Sequence, residues 1–186
     1  IIVNFSKPYG IRITGQRFIA YHGWDGDIQL RVAAHELFHP PFAPGDAELR
    51  DLLGELENDA WMKSIGENHD PKYGYNSFMG VVNEGSTQAL DQLVSERLGF
   101  AKDPAERWRT SDGGMHMLAA ALYDAMRKSG FADRGGNYAA WFKASLASGA
   151  LAPDKVREHA AAVVGRAAVD RWYELGDSRH TGAAAP

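Results

Sequence analysis

Residues 1–25 are crowded with Ile, Val, Phe, Tyr and Thr, and the run is broken at Pro8-Tyr9-Gly10 and Thr14-Gly15. β-branched and aromatic residues punctuated by turn formers predict two or three short strands, arranged as a small antiparallel sheet. Beyond the turn Gly23-Trp24-Asp25-Gly26-Asp27 the apolar period changes to that of helices, with Asp25 or Asp27 as the cap. A first helix is expected over 28–39, with Ile28, Val32, Leu37 and Phe38 as its apolar surface and Pro40-Pro41 as its stop. A second is expected over 46–64. Residues 66–80, GENHDPKYGYNSFMG, show no helical period and form a long polar, aromatic loop of the kind that often carries function. A third helix spans 82–98 and ends at Gly99. A short segment at 104–108 and helices near 115–128, 138–147 and 153–175 complete the body, and the tail HTGAAAP is frayed.

The expected organisation is one α+β, mainly helical domain: a strand-rich start (1–27), a helical body (28–175) and a tail (176–186). The 186 residues are comfortable for one domain, and a hydrophobic fraction of 45% supplies a sizeable core. A formal net charge of -4 and the lack of any basic stripe argue against a nucleic-acid partner. No uncharged apolar stretch reaches the length of a membrane span. With no cysteine, disulfides, thiolate metal sites and a cysteine nucleophile are excluded. The chain starts without Met in strand-like residues, as a processed protein or a fragment does. An exported or periplasmic location with the targeting segment missing fits that start, but compartment and oligomeric state are undecided.

Chemistry enters at residues 35–39, HELFH. On a helix His35 and His39 lie one turn apart on one face, so two imidazoles reach one ion, and Glu36 is free to handle the proton of a metal-activated water. A catalytic Zn2+ usually takes three protein ligands and leaves a fourth position open. Glu84, in VVNEGSTQALDQL, is the best third ligand, read as a first-turn glutamate whose charge the helix N-terminus favours. Asp70, in DPKYG, is the alternative.

HELFH followed 45 residues later by Asn83-Glu84-Gly85 resembles the gluzincin pattern of thermolysin-like and aminopeptidase-like zinc metallopeptidases. The resemblance covers residues 28–98. It implies a zincin-like domain in which a downstream helix bears the third ligand. It also implies that His35, His39 and Glu84 bind Zn2+, that Glu36 is the general base, and that a peptide or protein is the substrate. The family's oxyanion donor is a Tyr or His outside the ligand set. Here Tyr75 and Tyr73 are favoured, with His69, His116 and Tyr123 also in view. Metzincins are disfavoured, since residues 42 and 45 are Phe and Gly with no His nearby. DPKYG matches the letters of the aspzincin motif, at a spacing of 31 residues from His39 to Asp70 that is too long for that class. A ligating histidine usually gives its other N–H to an acceptor. Asp91 or Gln88 is expected to serve, and Asn83 to contact substrate or backbone. Other functions remain open: a zinc hydrolase of non-peptide amides, or a non-catalytic domain stabilised by metal.

Overall fold

The structure, a computed structural model, describes residues 2–4, 11–14 and 17–180, with side chains described for 19–176. The turns expected at Pro8-Tyr9-Gly10 and Thr14-Gly15 involve residues outside that range, as does the tail beyond His180. Three strands, β1 (Ile2–Asn4), β2 (Ile11–Thr14) and β3 (Arg17–Tyr21), form one sheet in the order β1-β3-β2. β2 and β3 pair antiparallel, as expected, with an irregularity between Arg12 and Thr14. β1 pairs with β3 in parallel, Ile2 opposite Ile19, so the sheet is mixed rather than purely antiparallel. The reason is topological: β3 reverses direction after β2 and enters the sheet between β2 and β1, which leaves β1 and β3 running the same way.

The helical body follows. α1 (Gly26–Leu37) is capped by Asp25, whose carboxylate accepts from the Ile28 N–H at 2.8 Å. It ends two residues before the expected His39, because proline disfavours helical geometry at the residue before it. The helix expected over 46–64 is three: α2 (Ala47–Leu52), α3 (Gly54–Asn58) and α4 (Ala60–Asn68). Asp59 makes the last break, turning its carboxylate onto the Trp61 and Met62 N–H groups as a fresh N-cap. After a 3₁₀ turn at Pro71–Tyr73 comes α5 (Phe78–Leu98), which starts four residues earlier than the pattern predicts because Ser77 caps the Gly80 N–H. Gly99, at φ +81°, closes it in the left-handed conformation. Then follow α6 (Pro104–Thr110), a second 3₁₀ turn (Ser111–Gly114), α7 (Met117–Lys128), α8 (Phe131–Arg134) and α9 (Tyr138–Ala147). The helix expected over 153–175 is two, α10 (Pro153–Val164) and α11 (Arg166–His180), divided at Gly165, and the second reaches into the segment read as tail.

α7 is the centre of the molecule. Met117, Leu118, Ala119, Ala120, Ala121, Leu122, Tyr123, Ala125 and Met126 are all buried, and the helix packs against both α5 and α10. Trp61, Trp108 and Trp172 are fully buried around it. The sheet and α5 contact α1, so the HELFH segment lies between the strands and the helical core. Among the described residues no helix is long and apolar enough to cross a membrane.

Gly85, the glycine directly after Glu84, is required by packing. A Cβ there would stand 3.3 Å from the Ala119 N and from the Leu118 Cβ, so the two central helices approach through it. Gly85→Val should therefore destabilise the zinc-free protein by about 2 kcal/mol through overpacking. Urea unfolding checks this, and an unchanged midpoint would show that α5 and α7 have room to spare.

Candidate metal centre

The two histidines come from the end of α1 and the residues just past it. Their ring centroids are 4.8 Å apart and their Nε2 atoms 3.0 Å apart. Glu84 faces them from α5. Its Oε1 is 3.6 Å from His35 Nε2 and its Oε2 is 3.3 Å from His39 Nε2. Zinc–ligand bonds of about 2.0–2.1 Å at tetrahedral angles place ligand atoms about 3.3 Å apart. The His35–His39 and His39–Oε2 distances of 3.0 and 3.3 Å lie close to that value, and the 3.6 Å from His35 is to the other carboxylate oxygen, so the three groups converge at a spacing that suits one Zn2+. Side chains of His35, His39 and Glu84 converge as a possible metal-binding group, with ligand atoms all within 4.8 Å of one another.

Hydrogen bonding sharpens the fit. His35 Nδ1 is 2.8 Å from Asp91 Oδ2. An ionised carboxylate only accepts, so the proton resides on Nδ1 and the Nε2 lone pair points at the triangle. His39 Nδ1 is 3.3 Å from the Thr87 hydroxyl, which leaves its Nε2 facing the same point. Gln88 Nε2 donates to Glu84 Oε1 at 2.9 Å, while Glu84 Oε2 is buried and takes no hydrogen bond. Two nitrogen lone pairs and an orphaned carboxylate oxygen thus face one another, an arrangement that calls for a cation.

Of the two candidates for orienting a histidine, Asp91 takes that task and Gln88 holds the ligand carboxylate instead. Thr87 was missed. Its position three residues after Glu84, on the same helix face, was the available signal.

Glu84 is the seventh residue of α5, not a first-turn residue, so the helix N-terminus is not what favours its charge. Burial works against the carboxylate, but His39, His35, the Gln88 amide and His116 outweigh it and hold the group at about 2. Asp70 is not part of the cluster. It caps the Lys72 N–H and pairs with Lys72 Nζ at 2.6 Å on the surface.

The remaining candidates separate clearly. Glu36 is buried, at 8% exposure, beside His35. Its charge is felt by both His35 and Tyr75. The Tyr75 phenol is pushed well above its ordinary range, first by burial and then by the charge and contact of Glu84. Tyr75 thus lies close to Glu84, and the Tyr73 ring carries Lys72 Nζ 4.9 Å from its centroid. His69 is buried and lies between backbone carbonyls. Its Nδ1 is 3.1 Å from the Ile65 oxygen and its Nε2 3.0 Å from the Gly74 oxygen. It organises the loop that carries Tyr75. His116 meets the Tyr75 ring edge-on at 5.8 Å and holds Asp112 Oδ2 at 2.7 Å. Tyr75 and Asp112 are both non-glycine residues at positive φ, 59° and 49°, a conformation that costs energy and clusters at functional sites. Tyr123 points elsewhere, donating to Glu96 Oε1 at 2.7 Å. Asn83 lines a cleft of about 480 Å³ with Pro40, Phe42 and Met79.

The site predicts how metal binding responds to pH. Burial lowers the His35 pKa, but the Asp91 hydrogen bond and the charges of Glu84, Asp91 and Glu36 overcome it and raise the value above 6.5. A proton on Nε2 excludes a metal, whereas Glu84 stays ionised down to about 2. Zinc affinity should therefore begin to fall above pH 6.5 on acidification, roughly tenfold per pH unit below the His35 pKa. Chelator competition between pH 8 and pH 5 measures this, and a flat profile through that window would contradict it. Asp91→Asn should weaken zinc by about 10–100-fold in the same assay at pH 7.5, since the amide favours the wrong tautomer of His35.

Comparison of the chain with protein-family models, with curated proteins and with solved structures returned no match. The site geometry therefore carries the assignment: the clustered His35, His39 and Glu84, with Glu36 outside the ligand set, match the HExxH…E zinc-binding architecture typical of gluzincin metallopeptidases.

Proposed function

We propose that the protein hydrolyses peptide bonds in a zinc-dependent reaction, with a peptide or protein as substrate. The observation that carries this reading is the convergence of His35, His39 and Glu84, whose ligand atoms all lie within 4.8 Å of one another, with the buried Glu36 beside them on α1. His35, His39 and Glu84 would hold the zinc ion, which when bound would lower the pKa of a water molecule and polarise a carbonyl, the chemistry amide hydrolysis needs.

The chain's own groups account for the rest. Glu36 takes the proton from the water as its oxygen adds to the scissile carbonyl, and passes that proton to the leaving nitrogen as the C–N bond breaks. The raised pKa of Tyr75 keeps its hydroxyl protonated, so it can donate a hydrogen bond to the oxyanion that develops on the carbonyl. Its left-handed backbone conformation, backed by the His116 ring, holds the phenol near Glu84 without making it a ligand. Asn83, next to Glu84 and open to the adjoining cleft, is placed to bind the substrate's main chain.

The test is cleavage of a peptide library by zinc-loaded protein, with product termini read by mass spectrometry. Glu36→Gln should bind zinc with near-native affinity and lose at least about 10³-fold in kcat. Tyr75→Phe should lose about 10²-fold in kcat with little change in KM, as removal of an oxyanion donor does. Zinc binding without cleavage of any peptide pool would overturn the peptidase reading and favour a metal-stabilised domain or a hydrolase of another amide.

A further inference from the structure

Two residues outside the ligand set reach two of the three side chains that hold metal ligands, Asp91 and Gln88. Arg107 and Trp108 are neighbours on α6. Arg107 Nη1 is 2.5 Å from Asp91 Oδ1 and Nη2 is 3.0 Å from Asp91 Oδ2, a two-point grip on a fully buried carboxylate. Trp108 Nε1 donates to Gln88 Oε1 at 2.9 Å, also in the interior. Asp91 is the partner of His35, and Gln88 is the partner of Glu84. Gln88 and Asp91 lie three residues apart on α5 and so occupy adjacent turns of one face. Side chains of consecutive helical residues diverge by about 100°, which lets one short helix address both.

We propose that α6 is a two-point clip that sets zinc affinity: Arg107 and Trp108 act as positioning residues for His35 and Glu84, through Asp91 and Gln88. This rests on the zinc reading of the site but not on peptide hydrolysis.

The chemistry of each arm is directional. An indole N–H only donates, so Gln88 must turn its oxygen toward Trp108 and its NH2 toward Glu84. Without the indole the amide is free to flip and set its oxygen against a carboxylate oxygen. The Arg107 fork occupies both oxygens of Asp91 and fixes the carboxylate plane. That plane fixes the direction in which Oδ2 accepts from His35 Nδ1, and hence the aim of Nε2. Arg107 is itself held in place, with Nη1 donating to Gln92 Oε1 at 2.9 Å. Gln92 is anchored in turn by the Lys102 carbonyl at 2.8 Å and by Glu96 Oε1 at 3.1 Å. Lysine at position 107 would supply charge without the fork.

The experiment measures zinc dissociation constants at pH 7.5 by competition with a chromophoric chelator, with urea unfolding of each zinc-free variant as the check on folding. Trp108→Phe, which keeps a ring and removes the donor, and Arg107→Lys should each weaken zinc about tenfold or more. Because Trp108 acts through Gln88, Trp108→Phe should have no further effect on zinc affinity in a Gln88→Met background, although each change alters stability. Arg109→Gln is the control: Arg109 sits on the same helix and donates to the Val164 carbonyl at 2.7 Å. It should lower stability and leave zinc affinity unchanged. Variants at 107 and 108 that bind zinc like the wild type would overturn the clip, as would additive losses in the Gln88→Met background. If Trp108→Phe fails to fold, Arg107→Lys against Arg109→Gln decides the matter alone. A wild-type protein that does not bind zinc would overturn the clip together with the metal assignment, whereas one that binds zinc without cleaving peptides would leave the clip standing and remove only the peptidase reading.

Discussion

A helix that carries a polar row through the interior of a protein is costly to bury unless most of those groups, and the charged ones above all, find partners. α5 is such a helix. Glu84, Gln88, Asp91, Gln92 and Ser95 are all buried on it, along with Ser86 and Thr87. Two of these are carboxylates, and an unpaired buried charge would cost several kcal/mol. Glu84 Oε1, Thr87, Gln88, Asp91 and Gln92 find partners within α5 or around it, whereas the Ser86 and Ser95 hydroxyls are buried without one. α1 brings His35 against Asp91, and the loop after it brings His39 against Glu84 and Thr87. The Arg107 guanidinium neutralises Asp91 from the other side. The order of elements around the core follows from which of them carries a partner for that row.

Glu84 Oε2 is a buried carboxylate oxygen that takes no hydrogen bond, and the two histidine Nε2 atoms face it. Asp91, Gln88 and Thr87 hold the far sides of the three ligands, which sets ring direction and carboxylate orientation, and for His35 the tautomer, before any ion arrives. That preorganisation is what a tight metal site requires, because the ordering cost is met on folding rather than on binding. The helices pack the site from behind, with Gly85 letting α5 and α7 close together directly beneath Glu84. Tyr75 and Asp112 hold strained backbones on the opposite side, where the Tyr75–His116 contact links the long loop to the start of α7.

The candidate site was largely legible in residue order, and the fold around it only in outline. HELFH could be read because its chemistry is local: four residues of helix place His35 and His39 together whatever surrounds them. Glu84 was legible as a letter in NEG but misplaced in its helix. The reason is that α5 lacks an apolar stripe: its buried face is polar, so the periodicity that marks helix starts was absent at Phe78. The long helices expected over 46–64 and 153–175 were broken by Asp59 and Gly165, whose effects depend on whether a side chain caps or continues a helix. The parallel pairing of β1 with β3 could not be read because strand residues do not encode their neighbours.

Sequence alone determined the metal class, the absence of thiol chemistry, the general base Glu36 and a mainly helical body, since these rest on residue type and on spacings within a turn or two of helix. Tertiary structure decided that Glu84 rather than Asp70 completes the cluster, and that Tyr75 comes close to Glu84. It also decided that Asp91, Gln88 and Thr87 divide the ligands among them, and that Arg107 and Trp108 stand behind two of those three. Apart from the Gln88–Glu84 contact within α5, these are contacts between different elements, and directional hydrogen bonds at about 3 Å between elements are set by how helices pack, which no local pattern specifies.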